Sequence, residues 1–139
     1  MSAVTASLNY ETSGNNDIRD ITSDVIQSVG ISGIRNGIVL VFTPGSTVAI
    51  TTLEYEPGLV TDLKDALERL APQDIEYFHN QRWHDGNGHS HIRAALLGQD
   101  CSFPIIDGQV ELGTWQQIIL IDLDVRPRNR KVTVQIVGD

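Results

Sequence analysis

The chain has 139 residues, 40% of them hydrophobic, which suffices for a single domain spanning residues 1–139 and leaves no room for a second core. A formal charge of −8 and a pI near 4.8 repel polyanions, so a general affinity for nucleic acid or an anionic membrane is excluded, and an anionic ligand needs a local basic patch. No run approaches the length of a membrane span, the first residues lack a basic start and apolar signal core, and the one cysteine, Cys101, forms no intramolecular disulfide; these features predict a cytoplasmic protein.

Taken in order, Ala3 to Thr12 alternates apolar and polar residues through Val4, Ala6, Leu8 and Tyr10, the pattern of a strand with one buried face. Ser13 to Asn16 is a turn cluster. Ile21, Val25, Ile26 and Val29 predict a helix over Thr22 to Val29, with Asp20 or Thr22 as N-cap and Gly30 as its stop. Gly37 to Pro44 (GIVLVFTP) is a continuous apolar run and predicts a strand buried on both faces. Ser46 to Glu54 follows through the turn pair Pro44-Gly45, so the two strands are expected to form an antiparallel hairpin. Leu59, Leu63, Ala66, Leu67 and Leu70 recur at helical spacing after Pro57 and predict an amphipathic helix from Gly58 to Leu70, ended by Pro72. Beyond the next stretch, Ser90 is placed to cap a helix from His91 to Leu97 that stops at Gly98. The last forty residues read as strands: Ser102 to Ile106, Gln109 to Leu112, Gln116 to Leu123 and Lys131 to Val137, the first two joined by the hairpin signal Asp107-Gly108. Helices and strands are segregated, so the class is α+β with a mainly antiparallel sheet.

All four histidines, at 79, 84, 89 and 91, fall in the segment YFHNQRWHDGNGHSH, Tyr77 to His91. Imidazole is the commonest zinc-binding side chain and the easiest to tune for proton transfer, so the cluster points to a metal, an anion or a proton; any one of these residues alone reads as part of a polar surface loop. Arg126, Arg128 and Arg130, with Lys131, form the only basic cluster of an acidic chain. Their planar forks suit phosphate, with Arg93 as a further donor; the competing reading is a charged turn that protects a sheet edge or pairs with Asp122 and Asp124 across a subunit contact. Asn87 is either a turn residue or a pocket-lining amide. Gln116 can orient a ligand or a water, Trp115 reads as a packing anchor, and Cys101 as a small buried hydrophobe.

The segments YFHN, NGHSHIRAALLG, FPIIDGQVELGTWQQIILIDLD and RPRNRKVTVQIVG, in this order and with a Thr61-Asp62-Leu63 helix start after two strands, resemble the YjbQ-like proteins, long grouped as an uncharacterised family. The resemblance covers nearly the whole chain. It implies an antiparallel sheet curled as a half barrel with helices packed on one side, and a homotrimer. It implies, further, histidine-ligated metal and, for some members, a secondary thiamine phosphate synthase activity that joins a pyrimidine pyrophosphate to a thiazole phosphate. Of three histidines in the family pattern this chain keeps His79 and His91, while Gly45 stands where the first belongs. The third ligand is then His89, His84 or Glu54, and Glu54 serves alternatively as a general base. His89 and His91 share a face if their segment is extended and diverge if it is helical; His89 is otherwise an outer group that orients a ligand. The functional expectation is a small enzyme assisted by zinc or another divalent metal and acting on a phosphorylated small molecule, with a thiamine phosphate synthase-like transferase as the named case. Against it stands a non-catalytic metal- or anion-binding oligomer.

Overall fold

Alternation, helical spacing and turn residues divide the chain, described over residues 1–139 in a computed structural model, into β1 (Ser2–Thr12), β2 (Asp17–Asp20), α1 (Thr22–Ser32), β3 (Gly37–Phe42), β4 (Val48–Leu53), α2 (Pro57–Leu70), α3 (Phe78–Trp83), α4 (Gly88–Leu97), β5 (Asp100–Ile106), β6 (Gln109–Val110), β7 (Gln117–Asp122) and β8 (Arg128–Gly138). The strands make two antiparallel sheets, β1-β8-β3-β5-β6 and β2-β7-β4. The five-stranded sheet curls as a half barrel, with β1 and β8 paired along their whole lengths from Ser2↔Gly138 to Thr12↔Arg128. Its concave side carries Val39, Val41, Phe103, Ile105, Val132, Val134 and Ile136, which close on Val25 and Val29 of α1 and on Val48, Ile50, Ile118 and Leu120 of the smaller sheet. The other side of that smaller sheet packs Ala49, Ile119 and Ile121 against Leu67 of α2 and Ala94 of α4. The protein is therefore α+β in class, with every helix on the concave side of the larger sheet.

Burial of β7 on both faces explains the unbroken run Ile118-Ile119-Leu120-Ile121, each residue fully buried. The same inference fails for β3, where only Val39 and Val41 face the core while Ile38 is 58% and Phe42 39% exposed on the convex side. The expected β3–β4 hairpin is also corrected: β3 pairs with β5 and β8, β4 pairs with β7, and Pro44-Gly45 is the crossing between sheets. Periodicity is identical for a hairpin and for two strands that face each other across a core, so partner choice was invisible in the pattern. α1 runs through Gly30 and ends at Gly33, in the left-handed region at φ 73°. Pro57 opens α2 as expected, with the Glu56 carboxylate accepting from the Gly58 and Leu59 amides. Asp107 and Gly108, at φ 51° and 82°, make the predicted tight turn. No helix is long and apolar enough to cross a membrane.

Two-sided burial of β7 has a measurable signature. Ile119→Ala and Leu120→Ala, on opposite faces, are each expected to cost about 2–5 kcal/mol by denaturant titration; a strand buried on one face would show a large loss in one variant only.

Candidate functional site

The end of β7 carries two carboxylates into the interior, Asp122 at 0% and Asp124 at 1% exposure. Buried charge is tolerable only when paired and supported by hydrogen bonds. Asp122 Oδ1 accepts from Arg130 Nη2 at 2.8 Å and from the Asp124 amide at 3.1 Å, and Oδ2 accepts from the Thr12 hydroxyl. Arg130 Nη2 also donates to Thr47 Oγ1 at 2.8 Å and to the Thr47 carbonyl at 3.2 Å. Asp124 accepts from Arg128 Nε and Nη2 at 3.0 and 2.6 Å, from Thr47 Oγ1 at 3.1 Å, from Asn87 Nδ2 at 3.3 Å and from the Val125 amide at 2.8 Å. Burial by itself raises the Asp124 pKa, but the donations from Val125, Arg128, Asn87 and Thr47 outweigh it and bring the group down to about 2.

Over this floor lie α3 and the start of α4. Gly88 permits their contact: a Cβ there would come within 2.6 Å of the Tyr77 side chain, and its amide donates to Asn80 Oδ1 at 2.9 Å. His79 on α3 and His91 on α4 meet with ring centroids 4.4 Å apart and planes tilted by 53°. His79 Nε2 is 3.0 Å from Asn87 Oδ1 and 3.4 Å from Asp85 Oδ1. Partial burial and the neighbouring His79 hold the His91 pKa below that of free histidine, against the pull of Asp85 and Asp124. A cavity of about 170 Å³ opens beside them, lined by Asp85, Asn87, Asp124, Val125, Arg126 and Arg128.

Of the residues expected from sequence, Asn87, Arg126 and Arg128 line this cavity, His79 stands behind its Asn87 and Asp85 wall with His91 against it, and Arg130 lies beside Asp122, next to Asp124 of the lining. His89 is turned away. α4 begins at Gly88 rather than His91, so residues 89 and 91 are helical and lie about 200° apart around the axis. The His89 ring is buried, 6.5 Å from that of Tyr77, and burial and Arg93 lower its pKa. Arg93 is structural, donating to the Ala71 carbonyl at 3.0 Å and to Glu68 Oε2 at 2.6 Å. His84, at φ 57°, is the exposed residue ending α3. Glu54 follows the far end of β4, seven residues and about 20 Å along the strand from Thr47, so within one chain it does not meet the histidines. Gln116 belongs to that far end too, donating to Thr52 Oγ1 at 3.3 Å and accepting from the Gly113 amide at 3.0 Å. Gly45 stands beside the Arg130 guanidinium, where an added Cβ would lie 3.2 Å from Nη1.

Sequence reasoning treated Asp122 and Asp124 only as partners of arginines in a neighbouring subunit; both arginine pairings are internal. Two aspartates closing an otherwise apolar run, IILIDLD, were the available signal. Asp85, Thr47 and Thr12 carried none.

The low pKa of Asp124 predicts acid lability with a definite sign. Its ionised form is favoured by folding, so its contribution is complete above the ordinary value of 3.8 and is lost as pH falls towards 2. Urea midpoints across that range should drop steeply for the parent protein and less steeply for Asp124→Asn, which starts from lower stability.

A family model described as UPF0047 protein YjbQ-like matches residues 6–139. A UPF0047 protein of Methanothermobacter thermautotrophicus is 44% identical over 138 residues, covering 99% of this chain and 94% of the relative; one of Archaeoglobus fulgidus is 38% identical over 92% of this chain and 97% of its own. Among solved structures, a YbjQ-like protein of unknown function from Sulfolobus solfataricus superposes with a TM-score of 0.90 at 35% identity, covering 99% of this chain and all of the other. A hypothetical protein from Aeropyrum pernix gives 0.91 at 29% identity, covering 98% and 99%.

Proposed function

The chain belongs to the YjbQ-like UPF0047 family, and from that membership and its paired histidines we propose a small cytoplasmic enzyme that acts on a phosphorylated small molecule with the help of a divalent metal. The observation that carries this reading is the convergence of His79 and His91, 4.4 Å apart, beside a cavity edged by Arg126 and Arg128. Two neutral imidazoles suit zinc and its neighbours in softness. No three His, Cys, Asp or Glu side chains of the chain are grouped for an ion, so His79 and His91 would hold it with its other positions open to water and substrate. Such an ion supplies Lewis-acid polarisation of a phosphoryl oxygen. The chain's own residues bind and orient: Arg126 and the outer edge of Arg128 meet phosphate oxygens, and Asn87 and Asp124 hold the histidine geometry. Transfer of a pyrimidine pyrophosphate to a thiazole phosphate, as in thiamine phosphate synthesis, is the reaction to test first.

The position of Glu54 favours a second reading, a non-catalytic metal- or anion-binding oligomer, because no such base joins the histidines within one chain. For either reading the protein is proposed to be a homotrimer. Ile38, Phe42, Ile106 and Val137 are 58%, 39%, 51% and 37% exposed on the convex side of the larger sheet, and such an apolar face supports a subunit contact.

Elemental analysis of protein purified without added metal or affinity resin is expected to find about one divalent ion per chain, lost in both His79→Ala and His91→Ala. Parent protein that stays metal-free after incubation with zinc would remove the metal from the proposal. Sedimentation should give about three times the 15.3 kDa chain mass, and Ile38→Asp should reduce it to the monomer.

A further inference from the structure

The two ring nitrogens of His79 are not equivalent in this fold. Asp124 is 1% exposed and ionised, and an ionised carboxylate can only accept. The Asn87 side chain, itself 6% exposed, therefore turns its Nδ2 towards Asp124, at 3.3 Å, and is left with Oδ1 facing His79 Nε2 at 3.0 Å. An amide oxygen also only accepts, so Nε2 must carry the hydrogen. Asp85 Oδ1, 3.4 Å from the same nitrogen, is a second acceptor of the same sign. The backbone carbonyl of Asn87 takes the Ser90 and His91 amides at 3.0 and 3.3 Å, which fixes at the first turn of α4 the point from which this side chain reaches both partners.

We propose that Asp124 is a positioning residue that acts through the Asn87 amide to hold His79 as its Nε2–H tautomer, leaving Nδ1 as the only nitrogen of that ring with a lone pair for a metal ion. The inference rests on the proposed function in taking His79 as a working residue, and adds which of its atoms works and what selects it. A carboxylate–amide–imidazole chain differs from a direct carboxylate–imidazole contact in one respect. The amide transmits direction without sharing a proton, so the imidazole is oriented but not made more basic by a full neighbouring charge.

The test is long-range proton–nitrogen correlation NMR on metal-free, nitrogen-15-labelled protein at a pH where the imidazoles are neutral. The expected spectrum shows His79 Nε2 as the protonated nitrogen and Nδ1 as the unprotonated one, and added zinc moves Nδ1. Asn87→Ala and Asp124→Asn should each shift His79 towards a mixture of tautomers while His89 is unchanged. Parent protein with the hydrogen on Nδ1, or zinc displacing the Nε2 hydrogen, would overturn the proposal whether or not the variants fold. If the tautomer is as stated and zinc moves neither nitrogen, the Asp124–Asn87 selection stands and the metal reading fails.

Discussion

The pairing of Asp122 with Arg130 is the contact on which the rest depends, because it joins the two sheets at the end where the site is built. Asp122 belongs to the central strand of the small sheet, and Arg130 to the strand that β1 and β3 share in the large one. Removing one partner would leave the other charge buried without its counter-ion, a loss of about 3–5 kcal/mol in comparable buried pairs. Thr12 and Thr47 make the pair tolerable by filling further positions on each ion. Both threonines sit at strand ends, so the pair also fixes where β1 stops and where β4 starts. Close packing of Val48 and Arg130 around Gly45 lets the crossing from β3 to β4 pass over this point.

Everything above that floor inherits its position. Arg128 and Asn87 both reach Asp124, and Asn87 in turn fixes the first turn of α4 and the edge of His79. The two facing rings are therefore placed by the sheet seam rather than by their own short helices, of which α3 has only six residues and no buried side chain. A six-residue helix has little stability in isolation and is held by what it touches. Burial first, and then His79 beside it, lower the His91 pKa, a shift in the direction of the neutral imidazole.

Local patterns in the sequence carried the element types, and non-local partners escaped it. Alternation in β1, the stripe of α2 and the Asp107-Gly108 turn are all set by neighbours within a few residues, so they could be read directly. The β3–β4 pairing could not, since a pattern of buried positions records only that a strand has a core face, never which strand lies beside it. Two-sided burial was assigned to Gly37–Pro44 and belongs to Gln117–Asp122, because GIVLVF keeps apolar residues on a convex face that the chain by itself leaves open. In the site, His79 and His91 were found through the family pattern and Asn87 through its place in GNGHSH. His89 joins them as a further imidazole of the same segment and Glu54 as a carboxylate at a strand end in the stretch that resembles the family, and helical phase and strand length separate both from the pair.

Three arginines that look alike in sequence are graded by depth, and the grading limits what the site can bind. Arg130 is spent on Asp122 and Thr47, with Nε buried and unpartnered. Arg128 commits Nε and one terminal nitrogen to Asp124 and keeps its outer edge. Arg126 is exposed at the cavity rim. The charges of Asp122 and Asp124 thus cancel those of Arg130 and Arg128, and Arg126 and Asp85 both line the cavity with opposite charge. A chain of net charge −8 with so nearly balanced a cavity offers an anion no long-range attraction. A phosphorylated ligand of the proposed kind would have to be recognised at contact, by the directed donors of the two arginine edges. That favours a small ligand whose remaining bulk fills the cavity over an extended polyanion.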